Sequence, residues 1–108
     1  MELDTAVRHG LDIVVLLGND AAWGIDKNIQ IGLYGKPVVT DLAPSRYDLV
    51  AEGLGAHGEL VERPEQLAPA LERAVTAGRP ALLNIRVQSQ ISMRAQGIVD
   101  SRRKGGAF

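Results

Sequence analysis

The chain has no cysteine, which excludes disulfide frameworks, thiolate nucleophiles and zinc-thiolate centres and leaves the redox compartment undictated. It has almost no net charge, -1 at pH 7 from 12 basic and 13 acidic residues. Nucleic-acid binding and general membrane binding both draw on concentrated positive charge, so neither partner is indicated. Long apolar runs are absent too: the longest, Ile13 to Leu17, falls far short of the roughly 20 residues that cross a bilayer as a helix. Glu2 and Asp4 stand where a secretory signal would need basic residues leading into an apolar stretch. A cytoplasmic location is the default expectation.

What is present is enough for one core. Of the 108 residues, 45% are apolar, which suits one domain at most. Leu3, Ala6 and Val7 predict a short helix over residues 2–9 ending at Gly10. His9 is read as helix-terminal and is assigned no chemistry. Residues 12–17 read as a strand whose lack of polar alternation implies burial on both faces and neighbours on either side. Between Ile25 and Pro37, the residues Asp26, Lys27, Asn28, Gly32 and Gly35 break any sustained period, predicting a short helical turn and then a loop. Tyr34 in that stretch is read as a packing residue.

Ser45 is placed to cap a helix carrying Tyr47, Leu49, Val50 and Leu54. Residues 57–62 suit a short strand at a sheet edge, with His57 salt-bridged or solvated beside Glu59 and Glu62. Pro64 opens a helix reaching Ala77, with Leu67, Leu71, Ala74 and Val75 as its buried stripe. Pro69 disturbs that ladder unless the regular helix begins nearer to it. Residues 80–87 supply a further strand. The alternation predicts the α/β class, a parallel sheet with flanking helices joined by right-handed crossovers. A flavodoxin-like or receiver domain is ranked low, because no glycine-rich phosphate loop of the G-x-G-x-x-G type is expected and three convincing strands are too few for that architecture. After Val87, residues 88–100 read as a weak helix and Ser101 to Phe108 as a basic, glycine-rich, mobile end, with Arg102-Arg103-Lys104 a solvated terminus. The expected organisation is thus a partial domain over residues 1–87 and a C-terminal tail over 88–108.

The chemistry concentrates in Gly18-Asn19-Asp20-Ala21-Ala22-Trp23-Gly24, directly after the apolar run. Open α/β sheets bind ligands just beyond the carboxyl ends of their strands. A hard divalent cation takes oxygen ligands, commonly one or two carboxylate or amide groups with phosphate oxygens, and Asp20, a backbone carbonyl and a diphosphate would fit. Asn and Asp equally make the turn that ends a strand. From these residues alone both readings stand.

The larger pattern resembles a known family. Asn19-Asp20 followed by Trp23-Gly24 and Ile25 resembles the second half of the metal and cofactor signature of thiamine diphosphate-dependent enzymes, a Gly-Asp-Gly turn followed further on by Asn-Asn. Met1 to His9 is similar to the helix between the two motifs, and Arg46 to Gly55 to the family's later helix. Gly18 to Gln30 and Gly78 to Val87 are similar to the acetolactate synthase-like branch. The resemblance implies the C-terminal half of a doubly wound thiamine diphosphate-binding domain, with thiamine diphosphate and Mg2+ as cofactors. It further implies the Asp20 side chain and the Ala22 carbonyl as metal ligands. Asn19, Asp20, Ala22, Trp23 and Gly24 would lie at the cofactor, Trp23 and Gly24 shaping the wall near the diphosphate, although Trp23 also reads as plain core.

The family's Gly-Asp-Gly turn has no counterpart in this sequence. Its pyrimidine-binding domain, with the glutamate that activates the cofactor, has none either. The chain is therefore expected to be a C-terminal piece with no catalytic residue of its own, inactive alone. The parent enzyme would decarboxylate a 2-oxo acid substrate such as pyruvate and ligate the product to a second oxo acid. A homo-oligomer, or a partner chain carrying the missing half-site, would complete it. The alternative is a noncatalytic α/β interaction module or split subunit.

Overall fold

A computed structural model describes residues 2–105. In chain order it contains α1 (Glu2–Arg8), β1 (Val14–Asn19), α2 (Gly24–Tyr34), α3 (Tyr47–Gly53), β2 (His57–Val61), a 3-10 turn (Pro64–Gln66), α4 (Leu67–Val75), β3 (Ala81–Arg86) and α5 (Met93–Arg103). The chain divides into two compact units. One takes the residues through Asn19 together with Ser45–Val87, and the other takes Asp20–Pro44 together with the residues from Gln88 onward. Among the described residues, no helix is long and apolar enough to cross a membrane.

The first unit is built on a parallel sheet of order β1-β3-β2, the α/β arrangement expected from the alternation of elements. β3 pairs with β1 from Val14↔Ala81 to Asn19↔Arg86, and with β2 from His57↔Ala81 to Val61↔Ile85. Successive residues of a strand point to opposite faces. Ala81 and Leu83 accordingly pack with Val61 and with Ala70 and Ala74 of α4, while Asn84 turns to Asp48 of α3. Helices thus flank both faces.

The expected place of the first strand is corrected. β1 is an edge strand with β3 as its one neighbour among the described residues, and Leu16 is 55% exposed. The middle position goes to β3, where Ala81, Leu83 and Asn84 are sealed. Two continuous apolar runs competed for one central place, and apolar continuity alone does not order them. β1 also runs on through Gly18 and Asn19, so Asn19 ends the strand.

α4 begins at Leu67, after the 3-10 turn, which puts Pro69 in the first helical turn where a missing amide costs little. Its buried residues are Ala70 and Ala74, whereas Leu67, Leu71 and Val75 of the expected stripe are exposed. Small side chains let the helix sit close to the sheet. α3 has Arg46 rather than Ser45 at its N-cap position, with no side-chain capping hydrogen bond. Its backbone lies so near β2 that a Cβ added at Gly58 would come within 2.0 Å of the Asp48 carbonyl oxygen.

In the second unit, α2 is a full helix of 11 residues where a turn and loop were expected. Gly32 is the reason: a Cβ there would lie 2.6 Å from Cγ2 of Val99, which is buried on α5. That glycine is a packing notch between two helices, not a helix breaker. The helix ends at Gly35, whose φ of 77° is left-handed. α5 is capped by Ser92, whose hydroxyl accepts from Ala95 N at 3.1 Å. It continues through Arg103, which donates to the Gly32 carbonyl at 2.7 Å. Ser101 to Arg103 are therefore helical rather than part of a mobile end; residues 106–108 of that expected end lie outside the described residues.

Candidate functional site

In the second unit, Asp20 opens a tight turn. Its Oδ1 accepts from Ala22 N at 3.2 Å, and Ala21 between them takes a φ of 53°. Left-handed conformations are uncommon for alanine, so the turn is held in place by its surroundings. Trp23 N donates to Thr40 O and Leu42 N donates to Ala21 O, each at 2.8 Å, making an antiparallel bridge between Ala22 and Asp41. In that pairing Ala22 and Asp41 are the non-hydrogen-bonded pair, so the amide and carbonyl of Ala22 face away from residues 40–42. The amide is taken by Asp20. The Ala22 carbonyl is an oxygen donor on the same edge. Lys27 forms an ion pair with Asp41, tying the bridge to the first turn of α2.

Gly24 begins α2, and the Asp20 carboxylate lies against it: a Cβ at residue 24 would stand 2.1 Å from Asp20 Oδ2. Glycine thus leaves the space the carboxylate occupies, beside the positive end of an 11-residue helix. Trp23 is 61% exposed and is not a core residue. Among the described residues no group of three or more His, Cys, Asp or Glu side chains is placed to hold a metal.

Asn19 belongs to the first unit and to a different set of contacts. Its side-chain amide donates to Asn84 Oδ1 at 3.1 Å and to Ser45 O at 3.3 Å. Asn84, 1% exposed, donates to Ser45 O at 3.2 Å and to Asp48 Oδ1 at 3.1 Å. Asp48 is 3% exposed and also accepts from Arg46 Nε at 3.0 Å. The Arg46 guanidinium holds the Asp48 carboxyl down at about 2; burial pushes the other way and the Asn84 hydrogen bond reinforces the lowering. Sequence reasoning missed Arg46, Asp48 and Asn84. The signal was there, because an asparagine inside the run Ala81 to Ile85 must find partners once buried.

The remaining candidates are structural. His57 sits 3.3 Å from Glu59, as a salt-bridged histidine was expected to. Glu59 also pairs with Arg73, and that guanidinium chiefly holds its carboxyl below the usual range. Tyr34 is 63% exposed, not packed inside. The expectation that no G-x-G-x-x-G spacing occurs is corrected: Gly53-Leu54-Gly55-Ala56-His57-Gly58 has it, but this stretch joins the helix α3 to the strand β2. A phosphate loop runs from strand to helix, and here Gly58 serves the close approach of α3.

Residues 1–85 match the family described as thiamine pyrophosphate enzyme, C-terminal TPP binding domain. The chain is similar to the acetolactate synthase large subunit IlvG of Mycobacterium tuberculosis, at 50% identity over 86 residues that make up 79% of this chain and 16% of that protein. It is also similar to 2-hydroxyacyl-CoA lyase 2 of Caenorhabditis elegans, 42% identical over 62 residues, 57% of this chain and 10% of that one. A third relative is sulfoacetaldehyde acetyltransferase of Alcaligenes xylosoxydans xylosoxydans, 32% identical over 76 residues covering 69% and 13%. The chain spans well under a fifth of the length of each.

Proposed function

The chain belongs to the thiamine pyrophosphate enzymes, as a C-terminal cofactor-binding domain, and from that premise we propose that it forms the C-terminal part of an acetolactate synthase-type enzyme. Such an enzyme decarboxylates a 2-oxo acid and joins the resulting fragment to a second oxo acid. The lyase and acetyltransferase relatives share the cofactor domain; identity of 50% over 79% of the chain favours the synthase. Residues 1–87 are the partial domain and residues 88–108 a C-terminal segment, and the location is cytoplasmic.

The observation that carries the reading is the Asp20 turn. A hard cation requires oxygen ligands. The Asp20 carboxylate, with its space kept open at Gly24, and the Ala22 carbonyl, turned out by the bridge to Asp41, are such ligands. They would hold Mg2+, whose charge offsets that of the diphosphate. Trp23 and Gly24 line the wall beside it, and Asn19 fixes the strand end from which Asp20 departs. When bound, thiamine diphosphate supplies the nucleophilic carbon and the electron sink for decarboxylation. In this reading the chain binds and orients the cofactor. β1 lies at the sheet edge among the described residues, which favours completion by a partner or a further segment carrying the Gly-Asp-Gly turn, because a sheet edge is a template for another strand.

Asp20→Ala in the full-length enzyme tests the assignment. Mg2+-dependent thiamine diphosphate affinity measured by calorimetry should fall by roughly 100-fold or more, beyond the loss typical of changes just outside a metal's ligands, while circular dichroism stays unchanged. Unaltered affinity would refute Asp20 as the ligand. The 108-residue chain alone should not turn over pyruvate, and any decarboxylation by it would overturn its reading as half a site.

A further inference from the structure

Asn19 gathers three points of the chain. Its side-chain amide donates to the Ser45 carbonyl, and its own carbonyl accepts from Val87 N at 3.1 Å. Asn19, Ser45 and Val87 are the residues at which the chain leaves or re-enters the sheet unit. Asn84 closes the arrangement from the middle of β3, donating to Ser45 O and Asp48 Oδ1 and accepting from Asn19. A side-chain amide offers two donors, and the one on Asn84 meets an acceptor on each side. A leucine there would extend the apolar run of β3 with no polar group to satisfy.

From this we infer that Asn84, acting through Asn19, is a positioning residue. The knot fixes the point where the excursion Asp20–Pro44 departs and the point where it returns. Asp20 follows Asn19 by one peptide bond, so its starting position is set by the Asn84 carboxamide. Asn19 thereby serves the site through its hydrogen bonds in the sheet unit and not as a ligand. The link to the cofactor rests on the function proposed above; the knot itself does not.

The test reads hydrogen exchange in the whole chain at Trp23 N and Leu42 N, inside the excursion, against His57 N, which donates to Pro80 O in the sheet unit. Asn19→Ala removes the donor to Ser45 and Asn84. It is expected to speed exchange at Trp23 and Leu42 by roughly tenfold relative to His57. Asn84→Asp sets a second carboxylate against Asp48 and is expected to speed it further. Adding Asp48→Asn restores a donor-acceptor pair in the reverse sense and is expected to recover much of the protection, a rescue that a merely space-filling residue would not show. Equal acceleration at all three amides, or no recovery in the double variant, overturns the inference. In the full-length enzyme, Asn84→Asp is also expected to weaken Mg2+-dependent thiamine diphosphate binding. Selective loosening with rescue but unchanged affinity would support the knot and count against the proposed metal site.

Discussion

A methyl group added at Gly58 and one added at Gly24 would meet obstacles at nearly the same distance, 2.0 and 2.1 Å, and of opposite kind. At Gly58 the obstacle is the Asp48 carbonyl, part of the backbone of α3. That helix cannot retreat without pulling Asp48 away from Asn84 of β3. At Gly24 the obstacle is Oδ2 of Asp20, the end of a side chain that can rotate aside. The sheet unit is specified by how closely main chains approach, whereas the turn in the second unit is specified by where one carboxylate rests. Damage to the first should appear as lost stability, and damage to the second as lost binding.

Gly58→Ala offers the largest effect on which to break that contrast. Overpacking against a fixed backbone typically costs about 1–3 kcal/mol and sometimes more, and the upper end is expected because the contact is main chain. Urea denaturation of the variant should show a lower midpoint, and a loss under about 1 kcal/mol would mean that α3 gives way more easily than its polar ties suggest. Gly24→Ala should behave in the other way. Alanine favours a helix over glycine by up to about 1 kcal/mol, which offsets the displaced carboxylate, so stability should hold. Thiamine diphosphate affinity in the full-length enzyme should fall by roughly tenfold or more. A Gly24→Ala enzyme with a lowered denaturation midpoint and unchanged affinity would erase the distinction between the two glycines.

The α/β class was legible because helical and apolar stretches alternate, and a turn after β1 was legible because Gly18-Asn19-Asp20 breaks a continuous apolar run, although the strand runs on to Asn19 and not only to Leu17. Strand order was not, since the runs of β1 and β3 look alike and only packing chose the centre. Glycine gave its signal ambiguously: Gly32 suggested a break into a loop, yet it is a notch where another element presses in, as Gly58 is within β2. The exposed Leu67, Leu71 and Val75 followed the helical period faithfully, but period identifies an apolar stripe without saying what covers it. At the site, Asp20 could be named from its place after a strand. Asn84 could not be joined to Asn19 without the parallel register that sets β3 beside β1.

The smallest expected effect concerns acid. Asp48 sits at about 2 against an ordinary value of 3.8, chiefly through its hydrogen bond to Arg46, with burial opposing and Asn84 assisting. A carboxyl depressed in the folded state binds fewer protons there than in the unfolded chain. Its contribution is therefore complete above 3.8 and is lost as pH falls through about 2. Arg46 is half exposed, its side chain 47% accessible, so solvent screens much of the attraction and the contribution is modest. Asp48→Asn should be less stable than the parent at neutral pH, with the gap narrowing between those two values, as followed by denaturant midpoints across the acid range. The amide can still accept from Asn84, so the knot at Asn19 should largely persist and exchange at Trp23 should change little. A gap that stays constant on acidification would mean that Asp48 acts in the knot by its shape alone, and the ionised pair with Arg46 would then drop out of what sets the sheet unit apart.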